Sequence, residues 1–494
     1  MAVFYERLSA QDRVFLHFED GPAHMHLGGL TLFEPGSLAT PEGGIDVGRI
    51  RTHIASRLHL VPRYRQRLAW IPVRNRPVWV DDDHFDLSYH VRHTAVPRPG
   101  DDAQLKLLAG RIFSQQLDRG KPLWEIWVIE GLRDGRFALL MKTHHALADG
   151  ISAFDLFAAL LTPEPQEHLD PPQPWRARSF PSGLEMLRDE LFEQARVPLT
   201  LATSVADGLR DPLALRDEML APLRALWALV ATGARRLGAN PLNRPIGPHR
   251  RFDWWVLDMD VVRAIRSSLG GTVNDVALAI VAGAMRDILT TRGAAPDRID
   301  FRVVVPVSVR SADQQGVVNN RVSGWLVPLP VGEADAGRRH AAVRETTACL
   351  KAVKMELGAE LLGRAAEHAA PGVLLLGARL TARLSPYNLI VTNVPGPPLP
   401  LWLLGARLRT GFPLVPLFEH QSLGIALFSY DGQLCWGVNA DWDGVSDPRT
   451  VVDALRTSAA ALCEAAGIDR PAVIEEAPAY QGGQLVGDGQ SATP

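Results

Sequence analysis

The stretch FALLMKTHHALADGISAFDLF sets His144 and His145 side by side in an apolar run, with Asp149-Gly150 after three intervening residues. An imidazole with an ordinary pKa of ~6.5 is the natural general base at neutral pH. Such a base could take a proton from an alcohol while the alcohol oxygen attacks an acyl carbonyl. Asp149 could bond the loop backbone or an arginine and so fix the loop's shape. Gly150 could permit a backbone angle, or an approach, that a Cβ would forbid. A lone buried histidine is usually structural; an adjacent pair followed by Asp-Gly argues for chemistry. No Gly-x-Ser-x-Gly elbow supplies a serine nucleophile. Direct transfer, with no covalent enzyme intermediate, is the simpler scheme.

The elements that must position these residues are legible around them. WEIWVIEGL and RFALLMKTHH read as two strands joined by the turn RDG. ISAFDLFAALL then carries apolar residues at 151, 154, 157, 158 and 161, which is helical spacing. The histidines therefore fall where a strand ends, before a short loop and a helix. Neighbours on a strand point to opposite faces. One histidine can enter a site while the other packs or orients the loop. This argues against a shared metal, as does the lack of further ligands at suitable spacing. Upstream, HLGGLTLFE and RPVWVDDD read as strands, and IRTHIASRLHLV and DAQLKLLAGRIFSQQL as helices.

TPEPQEHLDPPQPW, residues 162–175, holds five prolines and reads as a linker. A long helical pattern follows over about 181–238. Leu223, Leu226, Trp227, Val230, Ala234 and Leu237 share one face there, and residues 205–251 hold eight Arg against four Asp or Glu. Such a basic amphipathic helix fits an anionic bilayer, or more simply its own domain with a solvated face. A second α/β region begins near 251. DFRVVVPVSVR, NRVSGWLVPLP, YNLIVTNV, HQSLGIALFSYDG and QLCWGVNAD read as its strands. The division is 1–162, 163–250 and 251–470, with 471–494 read as a disordered tail.

Composition bounds the function. The 494 residues carry a net charge of −3, which gives no electrostatic case for nucleic acid. Only five of the 52 basic residues are lysines, a bias most simply laid to a GC-rich genome. Cys349, Cys435 and Cys463 are far apart and odd in number, which suits a reducing compartment. The N-terminus has no signal-peptide apolar core, and no apolar run reaches the ~18 residues of a membrane span.

HHALADG looks like the H-H-x-x-x-D-G signature of the CoA-dependent acyltransferase superfamily, which includes chloramphenicol acetyltransferase and nonribosomal peptide condensation domains. The surrounding blocks choose within it. LSAQDRVFLHFED, MHLGGLTLFE, VPRYRQRL, HFDLSYHVRH, LDRGKPLWEIWVIEGL, TVNDVALA, VPVSVR, NNRVS and TNVPGP resemble the bacterial wax ester synthase/diacylglycerol acyltransferase family from about residue 8 to 465. NNRVS and TNVPGP depart slightly from its commonest forms.

The resemblance implies two chloramphenicol-acetyltransferase-like α/β subdomains joined by a helical crossover, with an active-site tunnel between them. It makes His145 the base, His144 its packed neighbour, and Asp149 a loop anchor paired with an arginine, Arg65 or Arg67, beside Gly150. Asn274 and Asp275 match an Asn-Asp motif. An amide there could meet the oxyanion, or cap the helix that follows. Pro122, Leu123 and Trp124 match a P-L-W block, carried as substrate-binding though read as structural first. The implied reaction moves a long-chain acyl group from acyl-CoA to diacylglycerol, with no resident cofactor or metal. Acyl transfer to a fatty alcohol, a non-catalytic lipid-binding homologue and a condensation-like domain are the rivals. The expected place is cytoplasmic, on a membrane surface or lipid droplet.

Overall fold

The computed structural model describes residues 4–19, 21–72, 76–148, 155–180, 182–189, 192, 240–308, 322–356 and 387–469. Asp149, Gly150, the basic segment at 222–237 and the tail from 471 lie outside the described residues, so the readings placed on them carry no structural test. The first half runs β1 (Glu6–Arg7), α1 (Ala10–Phe18), β2 (His26–Phe33), α2 (Val47–Arg57), β3 (Gln66–Ile71), β4 (Arg76–Asp81), α3 (Leu87–His90), β5 (Val91–Ala95), α4 (Asp102–Ser114), β6 (Trp124–Glu130), β7 (Phe137–His144) and α5 (Asp155–Leu160). The second runs β8 (Arg250–Asp258), α6 (Met259–Leu269), α7 (Val273–Thr291), β9 (Arg302–Ser308), β10 (Val322–Pro328), α8 (Ala336–Glu356), β11 (Leu389–Pro395), β12 (Trp402–Leu403), β13 (Ala406–Leu414), β14 (Leu423–Tyr430), β15 (Gln433–Asp441) and α9 (Arg449–Ala465).

Two six-stranded sheets carry the fold, in orders β12-β13-β2-β7-β6-β5 and β10-β9-β11-β14-β15-β8, beside a small sheet β1-β4-β3. The apolar run FALLMKTH is continuous because β7 is central and buried on both faces. Its odd positions Phe137, Leu139 and Met141 join one core with α2 and Trp124. Its even positions Ala138 and Leu140 join another with α4. The RDG turn works by a left-handed Asp134, φ 61°, followed by Gly135, φ 69°.

The linear division at 251 does not partition the sheets. β13 leaves the second half and pairs antiparallel with β2, Phe412 opposite Leu30. Phe412 and Leu414 then share a core with Leu30, Leu32 and Leu140 of the first half and Trp254 of the second. This strand has no clean alternation in sequence, because its register shifts between Leu408 and Thr410. From the other side, α4 lies against β8 so closely that a Cβ on Gly110 would meet the Arg250 carbonyl at 2.9 Å.

In the second half α7 is the central helix. Ala277, Ala279, Ala282 and Ala284 join Val276, Leu278, Ile280 and Val281 in its core, so it is apolar all round and buried. Its start is fixed by a capping box: Thr272 accepts from the Asp275 N–H, and Asp275 accepts from the Thr272 N–H at 2.8 Å.

Candidate active site

β7 ends at His144, which sits opposite His26 of β2. The chain then turns through His145–Ala148, and the two histidines part at that turn. His144 is fully buried, and its N–H is held by the Leu123 carbonyl at 3.0 Å. The His145 N–H is held by the Met25 carbonyl at 2.8 Å. The His144 ring accepts the Ala146 N–H on Nδ1 at 3.0 Å, so the neutral ring carries its proton on Nε2. That Nε2 lies 3.2 Å from Glu19 Oε2. The N–H is not aligned for a linear bond, so the contact is chiefly electrostatic.

His145 goes elsewhere. Its ring stacks on Phe15 of α1, with centroids 3.7 Å apart and planes 20° apart. Burial pushes its pKa down to about 4; its own backbone carbonyl pulls the other way, and His144 adds to the fall. A ring so held is neutral at pH 7 and keeps a free lone pair, as a general base requires. Its Nδ1 is buried with no hydrogen-bond partner among the described residues.

A polar layer surrounds His144 on the α4 side. Burial works against the charge of Glu19, yet contacts from His144, His26 and Arg119 hold its carboxyl well below the usual range. His26 is pushed down to about 3 by burial. Lys142, two residues before His144, is fully buried and pushed down to about 8 by burial. It donates to the Gln115 and Ile112 carbonyls at 2.7 and 3.2 Å. A cleft of about 540 Å³ opens nearby, walled in part by Arg92, Gln115, Arg119 and Glu125; neither motif histidine lines it.

The remaining candidates separate. Asn274 is exposed in the first turn of α7, and its Oδ1 accepts from the Asn393 side chain at 2.9 Å. The blocks TVNDVALA and TNVPGP thus meet in space. The cap of α7 is Thr272, so the capping reading for Asn274 is corrected. Asp275 carries the substrate-binding reading from the sequence. It is buried, with one oxygen on Thr272 and the other accepting from the Thr347 hydroxyl at 2.7 Å, so both are spent on the helix. Pro122, Leu123 and Trp124, read as structural first, are buried too. Trp124 donates to the Tyr64 carbonyl at 2.8 Å and stacks on His90. Leu123 contributes the carbonyl that ends β7. Arg65 is buried against the Trp175 ring at 5.1 Å, and Arg67 lies 3.6 Å from Asp82. Asp149 lies outside the described residues, so its pairing with either arginine carries no structural test. No group of His, Cys, Asp and Glu among the described residues is arranged to hold a metal.

Sequence reasoning missed Phe15, Glu19 and His26 as individual residues. The signal was faint: Phe15 and Glu19 are four apart across a helix end, spacing that puts them on one face.

The two-sheet arrangement matches the condensation-domain fold. The first condensation domain of the calcium-dependent antibiotic synthetase aligns with a TM-score of 0.53 at 15% identity, over 95% of this chain and 97% of that one. The similarity to the wax ester synthase/diacylglycerol acyltransferase from Marinobacter aquaeolei VT8 is greater: TM-score 0.69 and 26% identity, over 94% of this chain and all of that one. The family model for the wax ester synthase/diacylglycerol acyltransferase catalytic domain matches residues 8–277, and that for the family's C-terminal domain matches 318–462. A Mycobacterium bovis protein assigned the name diacylglycerol O-acyltransferase is 34% identical over 470 residues, 92% of this chain and 98% of its own. A similarly named protein of Mycobacterium tuberculosis, tgs1, is 32% identical over 92% of this chain and 95% of its own. The chain belongs to the wax ester synthase/diacylglycerol acyltransferase family, and it is an acyltransferase.

Proposed function

We propose that this acyltransferase moves a long-chain acyl group from acyl-CoA to diacylglycerol, forming triacylglycerol, with His145 as general base. One observation carries the reading: a neutral imidazole held at the end of β7 by a backbone bond and a stacked ring, in a chain of this family. His145 takes the proton of the acceptor hydroxyl as its oxygen attacks the thioester carbonyl. The tetrahedral intermediate collapses with loss of the CoA thiolate. The thiolate takes the proton back from the imidazolium, so ester and free thiol leave and the histidine returns neutral. Asn274, in the first turn of α7, is the candidate donor to the oxyanion.

Among the described residues no single helix is long and apolar enough to cross a membrane. The enzyme then meets its lipids at a membrane or droplet surface, a reading supported by the basic amphipathic pattern of 222–237. The test offers labelled palmitoyl-CoA with diacylglycerol and hexadecanol in parallel, and repeats it with acetyl-CoA. Label in triacylglycerol is the expected result. Label only in wax ester moves the acceptor to a fatty alcohol. Preference for acetyl-CoA, or no transfer, overturns the reading.

A further inference from the structure

We propose that Glu19 is a positioning residue for the histidine pair, and that it acts through His144. The inference rests on the reading of His145 as base.

Glu19 caps the C-terminus of α1, where its N–H bonds the Phe15 carbonyl at 3.2 Å. Its side chain is only 2% exposed, although it carries a carboxylate. One oxygen, Oε2, collects the Arg119 Nη2 at 2.5 Å, the Arg119 Nε at 3.0 Å and the His144 Nε2 at 3.2 Å. The other faces His26 at 3.5 Å and His24 at 3.9 Å. Arg119 also donates to the Leu16 carbonyl at 3.1 Å and stands at the wall of the polar cleft. It therefore ties the carboxylate to the end of α1.

A buried carboxylate persists only when it is paired, because desolvation disfavours its charge. Here the partners are unequal. Arg119 satisfies the charge, and His144 is the partner with a consequence for the site. The His144 ring receives the Ala146 N–H on one nitrogen and faces Glu19 with the other, so its plane is held from both ends. Ala146 is the residue after the base. Phe15, one helical turn before Glu19, stacks on the base itself. The end of α1 thus grips both histidines, one by charge and one by a ring face. Removing the carboxylate frees the His144 ring and, through Ala146, the turn that aims His145.

Glu19→Gln keeps the volume and one acceptor oxygen. Glu19→Met keeps the volume and no acceptor. The expected result with palmitoyl-CoA and diacylglycerol is a kcat about 10-fold lower for Gln and about 100-fold lower for Met, because a small misplacement of a catalytic group costs on this scale. Both KM values should stay within about twofold. A Met variant within about threefold of wild-type kcat, or a loss lying wholly in KM, overturns the proposal. A second readout needs no turnover. In His145→Ala protein the buried His144 Nε2–H should exchange slowly, with a shift set by the Glu19 carboxylate 3.2 Å away, and is assigned by its loss in His144→Asn. Glu19→Met in that background should shift it and speed its exchange; an unchanged signal overturns the proposal. If Glu19→Met changes the signal but the wild-type chain transfers no acyl group from CoA, the reading of function is rejected and the pairing stands.

Discussion

A histidine serves as a base only while it is neutral, and burial keeps His145 neutral far below pH 7. With its pKa pushed down to about 4, kcat/KM should be flat from neutral pH down to about 5 and fall only below that. A pH-rate profile breaking near 6.5 would instead report a solvated histidine. His145→Ala should lose about 10²–10⁴-fold in kcat with the fold intact by circular dichroism; activity within tenfold of wild type would reject its role. His144→Ala should act by another route. It leaves the Glu19 carboxylate short of a partner and the Ala146 N–H without an acceptor, so a lower Tm should accompany a smaller loss of rate. Asn274→Ala distinguishes two uses of an exposed amide. Loss in kcat fits the oxyanion, whereas loss in KM alone fits a binding contact.

Two element ends bring the candidate residues to their places. The end of β7 is held by the His144 N–H on the Leu123 carbonyl and the His145 N–H on the Met25 carbonyl. α7 starts because Thr272 and Asp275 satisfy each other's backbone donors, which sets the angle at which Asn274 leaves the helix. Thr272→Ala should destabilise by about 1 kcal/mol, the usual worth of an N-cap hydroxyl. Asp275→Ala should cost more, since it removes both the return half of the capping box and the nearer acceptor of the Thr347 hydroxyl, which keeps only the Arg344 carbonyl at 3.1 Å. If Asn274 works from this turn, kcat should fall with both, while the His144 environment stays unchanged by NMR. An unaltered kcat in Asp275→Ala would detach the α7 terminus from the chemistry.

The two halves are locked by strand β13, and Gly437 shows how tightly. A Cβ on this residue of β15 would meet the Pro413 carbonyl of β13 at 1.9 Å, and backbone cannot yield as a flexible side chain can. Gly437→Ala should therefore lower Tm by several degrees, read by thermal melting; an unchanged Tm would mean that the seam opens without cost. The whole chain should also be sensitive to acid. His26, His90 and His145 are all held below the 6.5 of a free histidine, at about 3, 4 and 4, each chiefly by burial. Below pH 6.5 the unfolded chain takes up protons that the folded chain refuses. Their stabilising share is complete above 6.5 and is lost as pH falls toward the folded values, with a slope approaching 1.4 kcal/mol per pH unit per histidine, an order-of-magnitude figure. Glu19, also lowered, adds its own loss only below about 4.5. Tm should be level from pH 8 to 7 and drop between 6 and 4; a level Tm across that range would contradict the buried, neutral state of these rings.

The sequence by itself determined the strand-turn-helix frame of the motif and most of the strands. Their apolar periodicity and turn residues act over a few positions, and HLGGLTLFE, WEIWVIEGL and RFALLMKTHH could be read that way. It also marked the histidine pair, because two adjacent imidazoles in an apolar run are hard to explain by packing. It could not assign individual roles along its motif blocks. Asp275 and Trp124 both sit in motif blocks, yet the carboxylate bonds a helix cap and the indole a core carbonyl, since one-dimensional order does not say where a side chain's hydrogen bonds go. Only the tertiary structure decided that β13 crosses into the first sheet, because strand pairing over some 380 residues depends on the partner's exposed edge and not on local pattern. Only it brought Glu19 to His144, across 125 positions of chain, where burial turns a plain carboxylate on a helix end into a fixed charge beside the turn that carries His145.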